Sequence, residues 1–472
     1  MLEWLRSILG QIFGQDTNAD IILSDKMSSN IDLWARMYES GGPWCNSKSG
    51  IQSLRIPADI ASEFGRLVTS EMKVSVSGSP RADFLQQALK PLTGDIRRYV
   101  EDGCALGGIV FKPYISGGTI AIDVVQGDGF FPTTFDTSNR MTGAIFIAQI
   151  KRGGIIYTRA EHPELQGDIY TVDNKAFASR SAYSIGTQIN LSTVPEWADI
   201  NPSVTIKNMD RPLFAYFRVP QVNKVDRHSP LGVSVFADAV DMICDADKQY
   251  GRYLWEYEGG QLAVDLDEEL FKHNQDGSVE MPQLEKRLYR RRHNESIDEK
   301  GGNFYEIFAP ELRDESYRNG LNTILQRIEF QCGLAYGTLS NPQDTEKTAT
   351  EINASKQRSY STVHDIQLAL QDALDDLIYA MDQMATLYNL APIGTYQTAY
   401  DWDDSIVNDP NQRKQMFWQY VQAGKFPFWR YLMEFEDYTE NDAKNIAAEA
   451  VQSANLSNPF GFGQGGGGNA GT

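Results

Sequence analysis

Apolar residues recur along this chain with two periods, and the balance between them changes near its middle. Ile56, Ile60, Phe64, Leu67 and Val68 return every three or four positions. That spacing predicts a helix within 51–76, running into the alternating Lys73-Val74-Ser75-Val76. From 107 to about 217 the pattern becomes short β-rich runs, among them Ile109-Val110-Phe111, Thr119–Val125, Ala144–Ile150 and Gly154–Thr158, with Gly, Asn and Asp between them. The first half therefore reads as a mixed α/β body with a sheet-rich middle.

The second half reads as helices. Ser234 stands where it can cap a helix whose apolar positions are Phe236, Val240, Ile243, Tyr250, Leu254 and Tyr257. With Asp247 filling the gap, the series alternates steps of four and three, as in a helix packed along its whole length. A second helix follows Pro310 and uses Tyr317, Leu321, Ile324, Leu325 and Ile328. A third opens on Thr348-Ala-Thr-Glu351, a capping box in which hydroxyl and carboxylate satisfy two orphan backbone donors. Behind it Tyr360, Val363, Leu370, Leu374, Leu377, Met381, Met384 and Tyr388 continue for about ten turns. Such a length suits an element that spans or buttresses an assembly.

A compact insert, 263–316, separates the first two helices. It reads as a strand (Leu262, Val264, Leu266), an Asp276-Gly277 turn, a short basic helix after Pro282, a Gly301-Gly302 turn and a strand over Phe304–Phe308. A polar loop, Gly337–Lys347, with Asn341-Pro342 inside it, joins the second helix to the third. Beyond Asp409 the chain is again helical, with an aromatic cluster of Phe417, Trp418, Tyr420, Phe426, Phe428, Trp429, Tyr431 and Leu432. It ends in a Gly-rich tail that carries no core.

Charge sharpens this picture. The 472 residues hold 43 Lys and Arg against 63 Asp and Glu, a formal charge of −20. Bulk electrostatic coating of nucleic acid is excluded, because that affinity comes from Lys and Arg displacing counterions. The imbalance is also local. No Lys or Arg occurs from Ser359 to Gln412, a stretch carrying Asp365, Asp372, Asp375, Asp376, Asp382, Asp401, Asp403, Asp404 and Asp409. Asp238, Asp241 and Asp245 lie at i, i+3, i+7 on one helix face, while Lys286, Arg287, Arg290, Arg291 and Arg292 form the one dense basic cluster.

Catalytic signatures are missing: no GxxxxGK[ST], no strand-linked GxGxxG, no HExxH and no GxSxG. The five histidines and four cysteines lack metal-ligand spacing, and no cofactor is implied. Asp401-Trp-Asp403-Asp404 is the best candidate for Mg²⁺-assisted phosphoryl chemistry, but a short acidic turn explains it as well. Met1–Phe13 is amphipathic, carries Glu3 and Arg6, and reads as a docking or packing helix. No run approaches the ~20 apolar residues of a membrane span.

The order of parts resembles the portal, or head–tail connector, proteins of tailed bacteriophages, in particular those of long-tailed phages of Gram-positive bacteria. Several stretches resemble that family in wording: Ile31-Asp-Leu-Trp34-Ala-Arg-Met-Tyr38, Leu54-Arg-Ile-Pro-Ala-Asp-Ile60, Leu67-Val-Thr-Ser-Glu71, Ser229-Pro-Leu-Gly-Val-Ser-Val-Phe236, Gly333-Leu-Ala-Tyr-Gly-Thr-Leu-Ser340 and Lys347-Thr-Ala-Thr-Glu-Ile352. The resemblance implies an α+β multi-domain portal fold. Residues 1–233 would form an α/β wing, 234–262 a stem helix, 263–316 a small α/β clip and 317–336 a second stem helix. A tunnel loop would follow at 337–347, then a long buttressing wing helix at 348–392, a helical crown at 393–460 and a flexible tail at 461–472.

The same resemblance implies a homo-oligomeric ring, typically a dodecamer, at one capsid vertex of the virion, assembled in the host cytoplasm. Double-stranded DNA would be packaged and ejected through it. Its partners would be the terminase large subunit, head–tail adaptor proteins and the major capsid protein, with no membrane and no catalysis. Asp238, Asp241 and Asp245, with Glu256 and Glu258, would line the bore with negative charge. Asn341, Pro342, Asp344, Glu346 and Lys347 would form the tunnel loop, Lys347 being its only base. Lys286, Arg287, Arg290, Arg291 and Arg292 would meet docking partners at the clip rim. The rival readings are a metal-dependent nucleic-acid enzyme using Asp401, Asp403 and Asp404, or another virion shell component.

Overall fold

A computed structural model describes residues 22–456 apart from 47, 49, 71, 182–183, 262, 268–271, 274–278, 281–288, 293–304, 342–348, 403–409 and 437. The amphipathic start and the Gly-rich end lie outside the described residues. The chain divides into two compact units, 1–402 and 403–472.

The first unit begins with helix α1 (Asp25–Glu39), whose first turn is capped by the Ser24 hydroxyl accepting from the Met27 N–H. Helix α2 (Ile56–Thr69) buries the predicted face of Ile56, Ile60, Phe64, Leu67 and Val68. It starts at residue 56 because Pro57 occupies the first turn, where a missing N–H costs nothing. Strand β1 (Lys73–Ser77), helix α3 (Pro80–Gly94) and helix α4 (Ile96–Leu106) follow. Helix α4 ends at Gly107, which has φ +89° and packs so closely on Gly232 that a Cβ would stand 2.6 Å from its carbonyl oxygen. No other residue fits there.

The β-rich middle forms two sheets. Strands β2 (Gly108–Ser116) and β3 (Thr119–Val125) pair with β10 (Ala215–Arg218) in the order β10-β2-β3. The larger sheet is an antiparallel meander of β4 (Phe130–Phe135), β5 (Met141–Arg152), β6 (Ile155–Gln166), β7 (Ile169–Ser179) and β8 (Thr187–Ile189), with β9 (Ser203–Lys207) also on β7. A small satellite core of Ala176, Leu191, Val194 and Trp197 lies against it.

Helix α5 (Val240–Gly259) and helix α6 (Asp314–Cys332) flank the insert. The chain does not enter α5 directly from Ser234. The Ser234 hydroxyl accepts from the Phe236 N–H, and a 3-10 turn at Ala237–Ala239 comes first. In the insert, β11 (Ala263–Asp267) lies between β14 (Tyr289–Arg292), parallel to it, and β15 (Tyr305–Phe308), antiparallel. Strands β12 (Lys272–His273) and β13 (Val279–Glu280) pair across the predicted Asp276-Gly277 turn, itself outside the described residues.

Here the structure corrects the sequence reading. The basic run from Tyr289 to Arg292 is a strand, not a helix, while Lys286 and Arg287 lie outside the described residues. The register sets Arg290 beside Asp265 and Arg292 beside Asp267, so pairing with an acidic strand overrides the helical tendency of the charged run.

Helix α7 (Ala349–Leu387) spans 39 residues, about 58 Å at 1.5 Å per residue. Val363, Leu370, Leu374, Leu377 and Met381 are buried in the same core as α2 and β2, joined by Ile366 and Ile378. Tyr388 lies past its end and is exposed. Thr348, half of the capping box, lies outside the described residues. Strand β16 (Gln397–Asp401) then pairs antiparallel with β1, so the first unit runs ten residues past the expected crown boundary at 393.

The second unit holds helices α8 (Pro410–Gln422), α9 (Phe428–Phe435) and α10 (Glu440–Leu456). The predicted aromatic cluster gathers there around the buried Tyr431 and Leu432, while Trp418 and Tyr420 remain exposed. Phe417 meets Phe426 edge-on at 5.0 Å, and Trp418 lies 5.2 Å from the buried Tyr431.

Candidate functional site: the helix pair and the root of the loop

Helices α5 and α6 pack on each other, and buried carboxylates fix each end of the pair. Near the insert, Glu256 accepts from Arg313 through Nε at 3.0 Å, Nη2 at 2.7 Å and the backbone N–H at 3.1 Å. This bidentate contact holds the Glu256 carboxyl below its usual range. Glu256 was expected along the bore; it is buried on Arg313 instead, because a fork of guanidinium donors faces it across the junction. Tyr257 stands beside it, its hydroxyl 3.0 Å from that of Tyr253, and its pKa is pushed up to about 12 by that hydrogen bond and by desolvation.

Midway along α5, the Asp247 carboxylate is buried and accepts from Trp44 Nε1 at 2.8 Å, the Leu54 N–H at 2.8 Å and Cys45 Sγ at 3.4 Å. It binds the 41–54 loop to the helix. Burial, with Asp247 beside it, pushes the Cys45 thiol up to about 11.

At the far end, Glu329 is fully buried in the last turn of α6. Its Oε1 accepts from the N–H groups of Gly337, Leu339 and Ser340 at 3.1, 2.6 and 2.8 Å, and Oε2 from the Ser340 hydroxyl at 2.9 Å. Asn322 completes the anchor. It accepts from the Asn341 N–H at 2.7 Å and donates to the Asn341 carbonyl at 3.4 Å. The turn out of α6 is made by Gly333, in the left-handed region at φ +76°, where a Cβ would meet the Thr362 hydroxyl at 2.5 Å.

Two arginines collect at this root. Arg358 from α7 lies 4.4 Å over the Phe330 ring and 5.3 Å over Tyr336, while Arg327 lies 5.2 Å from the same Phe330.

The three aspartates expected to line the bore are exposed along one flank of the α5 region. Asp238 forms an ion pair with Lys224, and Asp245 lies 3.4 Å from Lys248. Asp241, between them, is exposed on the same flank. Of the tunnel-loop residues, Asn341 is in place as just described; Pro342, Asp344, Glu346 and Lys347 lie outside the described residues. Asp401 is exposed on β16, and Asp403 and Asp404 lie outside the described residues. Among the described residues no three His, Cys, Asp or Glu side chains gather as a metal site, and no helix is long and apolar enough to cross a membrane.

The sequence reading missed Glu329, Asn322, Arg313, Arg327 and Arg358. A charged residue on a helix beside apolar neighbours, as Glu329 is beside Ile328 and Phe330, was the one local signal available.

A family model described as "Phage portal protein, SPP1 Gp6-like" matches residues 92–455. No curated protein matches the chain. Among solved structures, the chain is similar to a protein in the neck of a native GTA particle computed with C12 symmetry, at 11% identity and a TM-score of 0.40, over 86% of this chain and 98% of that one. Since the family match takes in most of the residues, including both helices, the insert and the anchored loop, this chain belongs to the SPP1 Gp6-like family of phage portal proteins.

Proposed function

We propose that copies of this chain form a ring, in the family manner a dodecamer, at one vertex of the capsid and conduct double-stranded DNA during packaging and ejection. The observation that carries this reading is the helix pair with a β insert at one end and a loop pinned at the other. Such a pair sets a loop at a constriction while presenting the insert to partners. A conduit must let DNA slide, and each phosphate neutralised by Lys or Arg adds affinity that every step must undo. Asp238, Asp241 and Asp245 repeated around a ring make a repulsive lining, focused by its low-dielectric walls. Because Lys224 and Lys248 partly offset their neighbours, Asp241 contributes most to that lining.

The clip contributes an edge bearing Arg290, Arg291 and Arg292, with Lys286 and Arg287 preceding it. That cluster is complementary to acidic docking surfaces on the terminase large subunit and the head–tail adaptors. The wing faces the major capsid protein. Negative-stain imaging of the purified chain tests the proposal. Rings with a central hole are expected; a population of monomers at every concentration, or Mg²⁺-dependent cleavage of DNA by a monomer, would overturn it.

A further inference from the structure

A cleft in the first unit has no part in the function above. It opens between α7 and the segment 212–220, encloses about 330 Å³, and is lined by Arg140, Arg218, Asp372 and Asp376 with Phe214 and Tyr216 behind them. Asp376 already has its partners: Arg211 Nη1 at 2.9 Å and Arg140 Nε at 3.2 Å.

Arg218 differs. Its Nε is sealed from solvent and meets no acceptor among the described residues, and no ion pair reaches its guanidinium. Asp372, exposed on the same wall, does not bond to it. The Arg218 stem is held in place, since its Cγ packs against Gly232 and its backbone lies in register with Gly108 of β2. The sealed Nε cannot itself meet a ligand in the cleft, but the terminal Nη donors of the same guanidinium, unpaired among the described residues, belong to the cleft wall and form the edge an acceptor would meet.

We propose that this cleft is an oxyanion site, taking a phosphate ion or a carboxylate, with Arg218 as its principal ligand and Arg140 at its rim. The planar fork of a guanidinium matches two oxygens of either group. Arg140 is 41% exposed along its side chain and lines the same cleft, with its Nε held by Asp376. Asp372 opposes the ligand by like charge, which gives the site a signed test.

The experiment titrates sodium phosphate into the full-length chain at constant ionic strength, followed by thermal melting and calorimetry, for wild type, Arg218→Gln, Arg218→Lys and Asp372→Asn. Wild type should show saturable stabilisation. Arg218→Gln should bind at least tenfold more weakly, Arg218→Lys should fall between, and Asp372→Asn should bind two- to fivefold more tightly. Should Arg218→Gln fail to fold, the Arg218→Lys and Asp372→Asn pair decides. Equal phosphate response in wild type and the Arg218 variants overturns the site. Weaker binding in Asp372→Asn also overturns it, since Asp372 would then be holding Arg218. Repeating the titration on assembled chains identifies the source: binding retained on assembly indicates a free anion, and binding lost only on assembly indicates a carboxylate from the neighbouring copy.

Discussion

Glu329 and Glu256 are single side chains on which longer segments depend. Glu329 gathers four donors from the loop that follows its own helix, so its charge organises backbone that water would otherwise claim. Glu329→Gln retains shape but cannot accept all four, and should cost about 2 kcal/mol locally. Hydrogen exchange at the Gly337, Leu339 and Ser340 amides should then quicken roughly thirtyfold by that arithmetic, with α2 amides unchanged; unchanged exchange at the three amides would contradict the anchor. Glu256 gives a pH test. Its carboxyl is held below its unfolded value by Arg313, so the stabilisation is fully present above the unfolded carboxylate range, about pH 4.3. It disappears as pH falls through the lower folded value. The melting temperature of wild type should exceed that of Glu256→Gln from pH 7 to about pH 5, and the gap should close below about pH 4. A gap independent of pH would refute the charge-based clamp.

Elements are held together by contacts that join distant parts of the chain. Arg81, buried in α3, donates to the carbonyls of Asp382, Ala391 and Pro392 and lies 3.6 Å from the Asp382 carboxylate, fastening the end of α7. Arg81→Met should cost roughly 3 kcal/mol, at the low end for a broken buried pair because Asp382 retains some solvent; a shift in melting temperature measures it. The basic-free stretch draws its countercharge in the same way, Asp376 from Arg140 and Arg211 and Asp382 from Arg81. Legibility followed the length of the contacts. The apolar faces of α2 and α7 were readable because helical period is local, as were the short β-rich runs that became β2 and β3. The basic run Tyr289–Arg292 was misread because its strand identity comes from pairing with β11, a partner twenty-odd residues away. The roles of Glu329 and Arg313 were not legible because they depend on partners, the loop amides and Glu256, that only the fold brings within reach. Because alternate N–H groups of the edge strand β14 face β11, one of Arg290→Pro and Arg291→Pro should remove a ladder donor and open the strand to limited proteolysis within 263–313 while the other is tolerated; equal resistance of both would contradict the pairing.

For the whole molecule, the proposed function sets an acidic chain around an acidic polymer, a charge arrangement that would avoid adhesion rather than read sequence. Charge reversal at one repeated position should therefore act far beyond its effect on a single copy. Asp241→Lys would place a ring of phosphate partners in the bore, slowing packaging and raising the salt dependence of DNA retention, while leaving the monomer's folding free energy within about 0.5 kcal/mol of wild type because the site is exposed. The same variant packaging at wild-type rate would argue that Asp241 faces elsewhere. Whether this flank of α5 looks onto an axial bore is decided by an electron cryomicroscopy reconstruction of the assembled chain. A closed ring in which Asp238, Asp241 and Asp245 of each copy face the open axis is expected. A ring that buries these carboxylates between adjacent subunits, with another surface lining the hole, would contradict it.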